Sequence, residues 1–183
     1  GQQRLPEQDP LGPTLLPPGP AEGEASMQTL LMPLLERAEA TASLQGRPWR
    51  GPDLWPQWID QPSQDGTIAE IVANLLENAF RYSPAGCSVG LCLLPDGLCV
   101  WDNGPPIPLE ERDLIFERGA RGSTGQDRAG TGLGLALARS LAEQQGRKLT
   151  LCVEPSTIAP DLPAQGNAFV LSWPAGARPD PTT

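Results

Sequence analysis

No histidine occurs in this chain of 183 residues, so a zinc site built on imidazole is excluded. The cysteines, Cys87, Cys92, Cys99 and Cys152, show no CxxC spacing. A zinc site would therefore need every thiol at once, and the expectation is buried, reduced cysteines in a cytosolic protein. No apolar run approaches the roughly 18 residues that span a bilayer, and no signal peptide is visible. Positive charge is short as well: the formal net charge of −9 argues against a general nucleic-acid surface or an anionic-membrane patch. The expected location is the cytoplasm, with a membrane-anchored parent protein compatible with it.

A hydrophobic content of 39% suffices for one core. Residues 1–25 hold six prolines and few large apolar groups and read as a disordered linker. One domain is expected over 26–174, with a loose tail at 175–183. The strongest periodic signal lies in 65–82, DGTIAEIVANLLENAFRY. Ile68, Ile71, Val72, Leu75, Leu76 and Ala79 repeat at helical spacing and define a buried face. Asp65 or Thr67 is expected to cap this helix, with Glu70 completing a capping box. Glu70, Asn74, Asn78 and Arg81 form a second, polar stripe, either a solvated face or a shelf of hydrogen-bonding groups lining a cleft.

An earlier helix is expected within 26–45, with Leu30, Leu31, Leu34, Leu35, Ala38 and Ala42 inward, capped by Ser26 and ended by Gly46. Pro33 either kinks it or marks the first turn of a shorter helix. Residues 47–60 read as short strands broken by prolines, with Trp49, Trp55 and Trp58 packing inside. Alternation over 87–94, the turn Pro95-Asp96-Gly97 and the run 98–101 predict a hairpin. A short helix is expected over 109–117 and a loop over 118–130. A helix follows over 132–145 with Leu133, Ala136, Leu137 and Leu141 inward, then strands at 148–153 and 167–173. The order predicts an α+β fold of two layers, a mixed or antiparallel sheet covered by helices on one face.

Two short motifs bear on chemistry. Asp102-Asn103-Gly104 is either a hairpin turn or a strand-end carboxylate able to accept from a base amino group beside a close backbone approach. Gly130-Thr131-Gly132-Leu133-Gly134 opens a helix. It is either a flexible lead-in or a set of N–H groups at a positive helix end that suits an anion. Arg118, Arg121 and Arg128 precede it, and cations there suit a polyphosphate or simply a solvated loop.

Together, NLLENAFRYS, WDNGPPIP, LIFERGARG and GTGLGLALAR resemble, in order, the N, G1, F and G2 boxes of the ATP-binding catalytic domain of sensor histidine kinases. That domain belongs to the GHKL group with DNA gyrase, Hsp90 and MutL. The resemblance implies the Bergerat fold, a mostly antiparallel mixed sheet backed by helices, with an ATP lid over 118–130. It implies ATP and Mg²⁺, with Asn78 and Asn74 near the metal and Asn74 and Arg118 at the reacting phosphates. Arg81 and Arg121 would face phosphates, Tyr82 would lie near the adenine ring, and Ile107 would belong to the nucleotide-binding set. Asp102 would bond the adenine amino group and Gly104 would permit that approach. Phe116 would anchor the lid, and Gly130, Thr131, Gly132, Leu133 and Gly134 would surround the phosphates. A histidine-bearing dimerisation domain and a response regulator are the implied partners. The acceptor histidine must come from elsewhere, since this chain has none. Hydrolytic relatives and anti-sigma-like serine kinases carry a carboxylate where Asn74 stands, and an amide cannot take a proton from water, which favours the histidine kinase. A GHKL ATPase, an anti-sigma-like serine kinase and a non-catalytic nucleotide-binding module are the alternatives.

Overall fold

The computed structural model describes residues 26–60, 66–117 and 134–173. The first helix, α1, covers Met27–Gln45. Ser26 caps it, its Oγ accepting from the Thr29 N–H at 3.1 Å, and Gly46 ends it at φ 65° in the left-handed region. Pro33 sits inside the helix on its exposed side, where the carbonyl it leaves without a donor can face water. Met27, Leu31, Leu35, Ala38 and Ala42 are buried, while Leu30 and Leu34 pack only partly.

The second helix, α2, covers Thr67–Tyr82, and all six residues of the expected apolar face are buried. Full burial of one such aliphatic side chain is worth about 1.5–3 kcal/mol, so this face fixes the helix against the sheet. Its start differs from expectation: Gly66 occupies the N-cap and no side chain caps it. Asp65 lies outside the described residues.

Five strands form one sheet: β1 Trp49–Arg50, β2 Val89–Leu94, β3 Gly97–Asp102, β4 Lys148–Cys152 and β5 Asn167–Ser172. Their order is β1-β2-β3-β5-β4, with β1 parallel to β2 and every other pair antiparallel. Alternation decides the faces. Val89, Leu91, Leu93, Leu98, Val100, Leu149, Phe169 and Leu171 point into the main core beneath the helices. Cys99, Trp101 and Ala168 point the other way, where Leu162 from the excursion after β4 covers them. The opposite face of the sheet is thus partly closed by a loop, which the one-sided helix layer expected from the sequence did not include.

Four further corrections concern local readings. The segment 109–117 forms two 3₁₀ turns, Leu109–Glu111 and Leu114–Phe116, rather than one helix. The last helix, α3, covers Gly134–Gln144 and buries Leu135, Ala138 and Ala142, while Leu137 is 45% exposed. Its inward face is rotated because small Ala138 and Ala142 allow α2 and α3 to approach closely; the larger leucines had suggested otherwise. Trp55 is exposed. Trp58 is buried against Trp173 in an edge-to-face pair, its indole N–H donating to the Leu94 carbonyl at 2.6 Å. Among the cysteines only Cys99 is buried; the others are half-buried.

Candidate functional site

β3 ends at Asp102, and the chain does not turn back into a hairpin there, since β3 already pairs with β2 and β5. Instead Oδ1 of Asp102 accepts from the Gly104 N–H at 2.8 Å, an Asx turn that bends the chain off the sheet. The carboxylate is 6% exposed. Burial raises its pKa above the ordinary carboxylate range, opposed by the Gly104 N–H, the Asn167 amide and the Arg47 charge. The Gly104 N–H and the Asn167 amide both reach Oδ1. A Cβ on Gly104 would lie 3.0 Å from both Asp102 Oδ1 and Pro84 Cδ, so glycine allows the loop to lie against the segment leaving α2.

Asn167, which sequence reasoning did not single out, organises this corner. Its Oδ1 accepts from the Ile107 N–H at 2.8 Å, and its Nδ2 donates to the Pro105 carbonyl at 2.9 Å and to Asp102 Oδ1 at 3.4 Å. It holds 105–107 beside the buried carboxylate. The only sequence signal was an amide at the start of a strand, too common to stand out. Arg47 was also missed. Its guanidinium donates to the Cys87 carbonyl at 2.9 Å, the Phe80 carbonyl at 3.3 Å and Ser83 Oγ, tying the end of α2 to the strand side.

Phe116 packs edge-to-face on Phe169 with centroids 6.0 Å apart, and the Arg139 guanidinium lies 4.7 Å over its ring. That fixes the second 3₁₀ turn between β5 and α3. Asn74 comes from α2, and a Cβ on Gly134 would lie 4.0 Å from its Oδ1. The first turn of α3 therefore meets the polar stripe of α2. Among the described residues, Asn74 Nδ2 is buried and has no hydrogen-bond partner. A buried donor left unsatisfied costs about 1–3 kcal/mol, and an anionic oxygen in front of it would remove that cost.

Asn78 lies one turn beyond Asn74 on α2. Arg81 pairs with Glu77 at 2.8 Å and lines a groove of about 520 Å³ between α1 and α2, together with Asn74. The structure thus brings Asp102, Gly104 and Ile107 into one corner and Asn74 and Gly134 into another, with Tyr82 at the end of α2. Arg118, Arg121, Gly130, Thr131, Gly132 and Leu133 lie outside the described residues.

The described residues thus set a strand-end carboxylate, Asp102, and the start of α3 beside Asn74 of α2 on a two-layer α+β fold. The chain belongs to the histidine kinase-, DNA gyrase B- and HSP90-like ATPase family, whose model matches residues 64–177. Within that family it is similar to the sensor histidine kinase Hik2 of Thermosynechococcus vestitus, 35% identical over 82% of this chain and 39% of that protein. The solved structure of the mycobacterial sensor histidine kinase MprB is similar at TM-score 0.57 and 26% identity, covering 79% of this chain and 95% of that one. Full-length ShkA in complex with AMPPNP shares the fold at TM-score 0.62 and 22% identity, over 82% of this chain and 30% of that one. The resemblance drawn from the four boxes is borne out, as is the fold. The chain spans about two fifths of the length of Hik2. Among the described residues no helix is long and apolar enough to cross a membrane.

Proposed function

We propose that this chain is the catalytic domain of a sensor histidine kinase, folded over 26–174, which holds ATP with Mg²⁺ and presents the γ-phosphoryl group to a histidine on a separate dimerisation domain. A response regulator is the next acceptor. The observation that carries this reading is the buried Asp102, whose Oδ1 is held by the Gly104 N–H while Oδ2 is left to accept from an adenine amino group. The AMPPNP bound by ShkA supports an adenine nucleotide as ligand.

The orphaned Asn74 Nδ2 suits a phosphate oxygen, and amide oxygens from Asn74 and Asn78 are hard donors of the kind Mg²⁺ takes. When bound, that ion would supply charge neutralisation at the phosphates. Asn78 is its assigned ligand, with Asn74 beside it. Arg81, Arg118 and Arg121 are assigned to phosphate charge, and Gly130, Thr131, Gly132, Leu133 and Gly134 to the phosphate cradle. Tyr82 and Ile107 flank the base, and Phe116 anchors the lid. The domain positions the phosphates and makes no covalent bond of its own. An amide at 74 cannot take a proton from water, which favours transfer to histidine over hydrolysis.

The test is incubation of the chain with γ-labelled ATP, Mg²⁺ and a purified histidine-bearing dimerisation domain. Label should appear on the acceptor domain, acid-labile as for phosphohistidine, and not on this chain. Label on this chain, or ATP hydrolysis at about 1 s⁻¹ without acceptor, would overturn the reading.

A further inference from the structure

Cys92 of β2 and Cys99 of β3 face each other directly across the antiparallel pair. Residues so opposed have Cα atoms about 4.5–5.5 Å apart, inside the roughly 4.4–6.8 Å span that a disulfide bridges. Both side chains lie on the sheet face away from the helices, and both thiols are free. Their environments differ. Cys99 is fully buried beneath Trp101 and Leu162, whereas Cys92 is half-buried at the edge of that cluster. Near Cys92 stands an ion cluster in which Arg50 of β1 pairs with Asp53 and Asp161.

We propose that Cys92 and Cys99 form a reversible dithiol–disulfide pair, oxidised by a peroxide or a small-molecule disulfide. This site is independent of the nucleotide reading. Contact with the Cys99 thiol lowers the pKa of Cys92, opposed by burial and the Asp161 and Asp53 charges and helped by the Arg50 charge; the same contact, with burial, raises that of Cys99. Cys92, half-buried and so within reach of an oxidant, is the nucleophile, and the fully buried Cys99 is the resolving thiol. With peroxide, the Cys92 thiolate attacks one oxygen and breaks the O–O bond, giving a sulfenic acid and, after protonation, one water. Cys99 sulfur then attacks the Cys92 sulfur, forming the S–S bond and expelling hydroxide, which takes the Cys99 proton to leave as a second water. Two thiols are oxidised and one peroxide is reduced. A small-molecule disulfide reaches the same end through a mixed disulfide, releasing two small thiols.

The other cysteines are placed wrongly for this exchange. Cys152 is on β4, separated from β3 by the whole of β5, and bonds the Glu154 carbonyl and Thr157 locally. Cys87 precedes β2, outside the ladder.

Asp96 stands between Cys92 and Cys99, so cleavage before aspartate separates them unless they are bridged. The folded chain is treated with hydrogen peroxide, its remaining thiols are blocked in denaturant, and the digest is read by mass spectrometry. The four free thiols should fall to two, with a Cys92–Cys99 linked peptide that dithiothreitol releases. Cys152→Ser should keep the link. Cys92→Ser, at a half-exposed position, should abolish it, so the test stands even where Cys99→Ala fails to fold. Four thiols remaining, or a bridge through Cys87 or Cys152, would overturn the proposal.

Discussion

The Gly104 N–H donates to Asp102 Oδ1 at 2.8 Å, so one oxygen of a buried carboxylate is spent on the turn that follows its own strand. That contact fixes the carboxyl plane and leaves the other oxygen for a ligand. In Asp102→Asn the side-chain oxygen can still accept from Gly104, so the turn survives, while the free position becomes a donor. Adenine affinity should fall by about 1.5–3 kcal/mol, the worth of a hydrogen bond to a charged group, and preference over guanine should disappear. Calorimetric titration with ATP and GTP checks this. Equal affinities for the two in the parent chain would contradict the assigned role.

The same carboxylate sets a pH dependence. Burial raises the folded-state pKa of Asp102 above its ordinary 3.8. The folded chain therefore binds this proton at a higher pH than the unfolded chain does. Its contribution to stability grows as pH falls through the folded value and is complete below the unfolded one. Nucleotide affinity moves in the opposite sense, because the protonated group is a poorer acceptor. Affinity should decline in a pH range above that of an ordinary carboxylate, and Asp102→Asn should flatten the decline. An identical profile in the two proteins would remove Asp102 from the explanation.

Arg47 should prove a stability residue rather than a ligand. It is 6% exposed and donates to the Phe80 carbonyl and the Ser83 hydroxyl at the end of α2 and to the Cys87 carbonyl ahead of β2. Lysine keeps the charge but loses the planar fork, so Arg47→Lys should cost about 1.5–3 kcal/mol in urea unfolding. An unchanged midpoint would show the fork to be dispensable.

Gly90 sits under the Trp101 ring, and a Cβ there would also lie 2.8 Å from the Arg50 carbonyl. Gly90→Ala should destabilise the fold by about 1–3 kcal/mol, as overpacking does, with the loss seen in thermal or urea unfolding. A neutral substitution would mean that the ring moves aside freely.

Much of this was legible because periodicity survives in single sequences. The buried face of α2, the hairpin of β2 and β3, and β4 and β5 all follow from regular spacing of aliphatic residues. The α3 face was misread because the chain buries Ala138 and Ala142 while leaving Leu137 out; size outweighed spacing in the reading. Asp102 could be singled out because the prolines after it made a returning strand implausible. Asn167 and Arg47 could not, since each acts across more than thirty residues of sequence and no local pattern announces such a contact. The Asx turn at Asp102 shows why both readings of Asp-Asn-Gly had been open: the residues do make a turn, but one that leaves the sheet.

The most direct test of the account is a calorimetric titration of the chain with ATP in the presence and absence of Mg²⁺, beside Asn78→Ala. Asn78 lies off the buried face of α2, so the variant should fold normally. The parent should bind Mg·ATP with a Kd below about 1 mM, and the variant should lose the Mg²⁺-dependent part of that binding. No heat with the parent up to that concentration, or equal Mg·ATP binding by Asn78→Ala, would contradict the account.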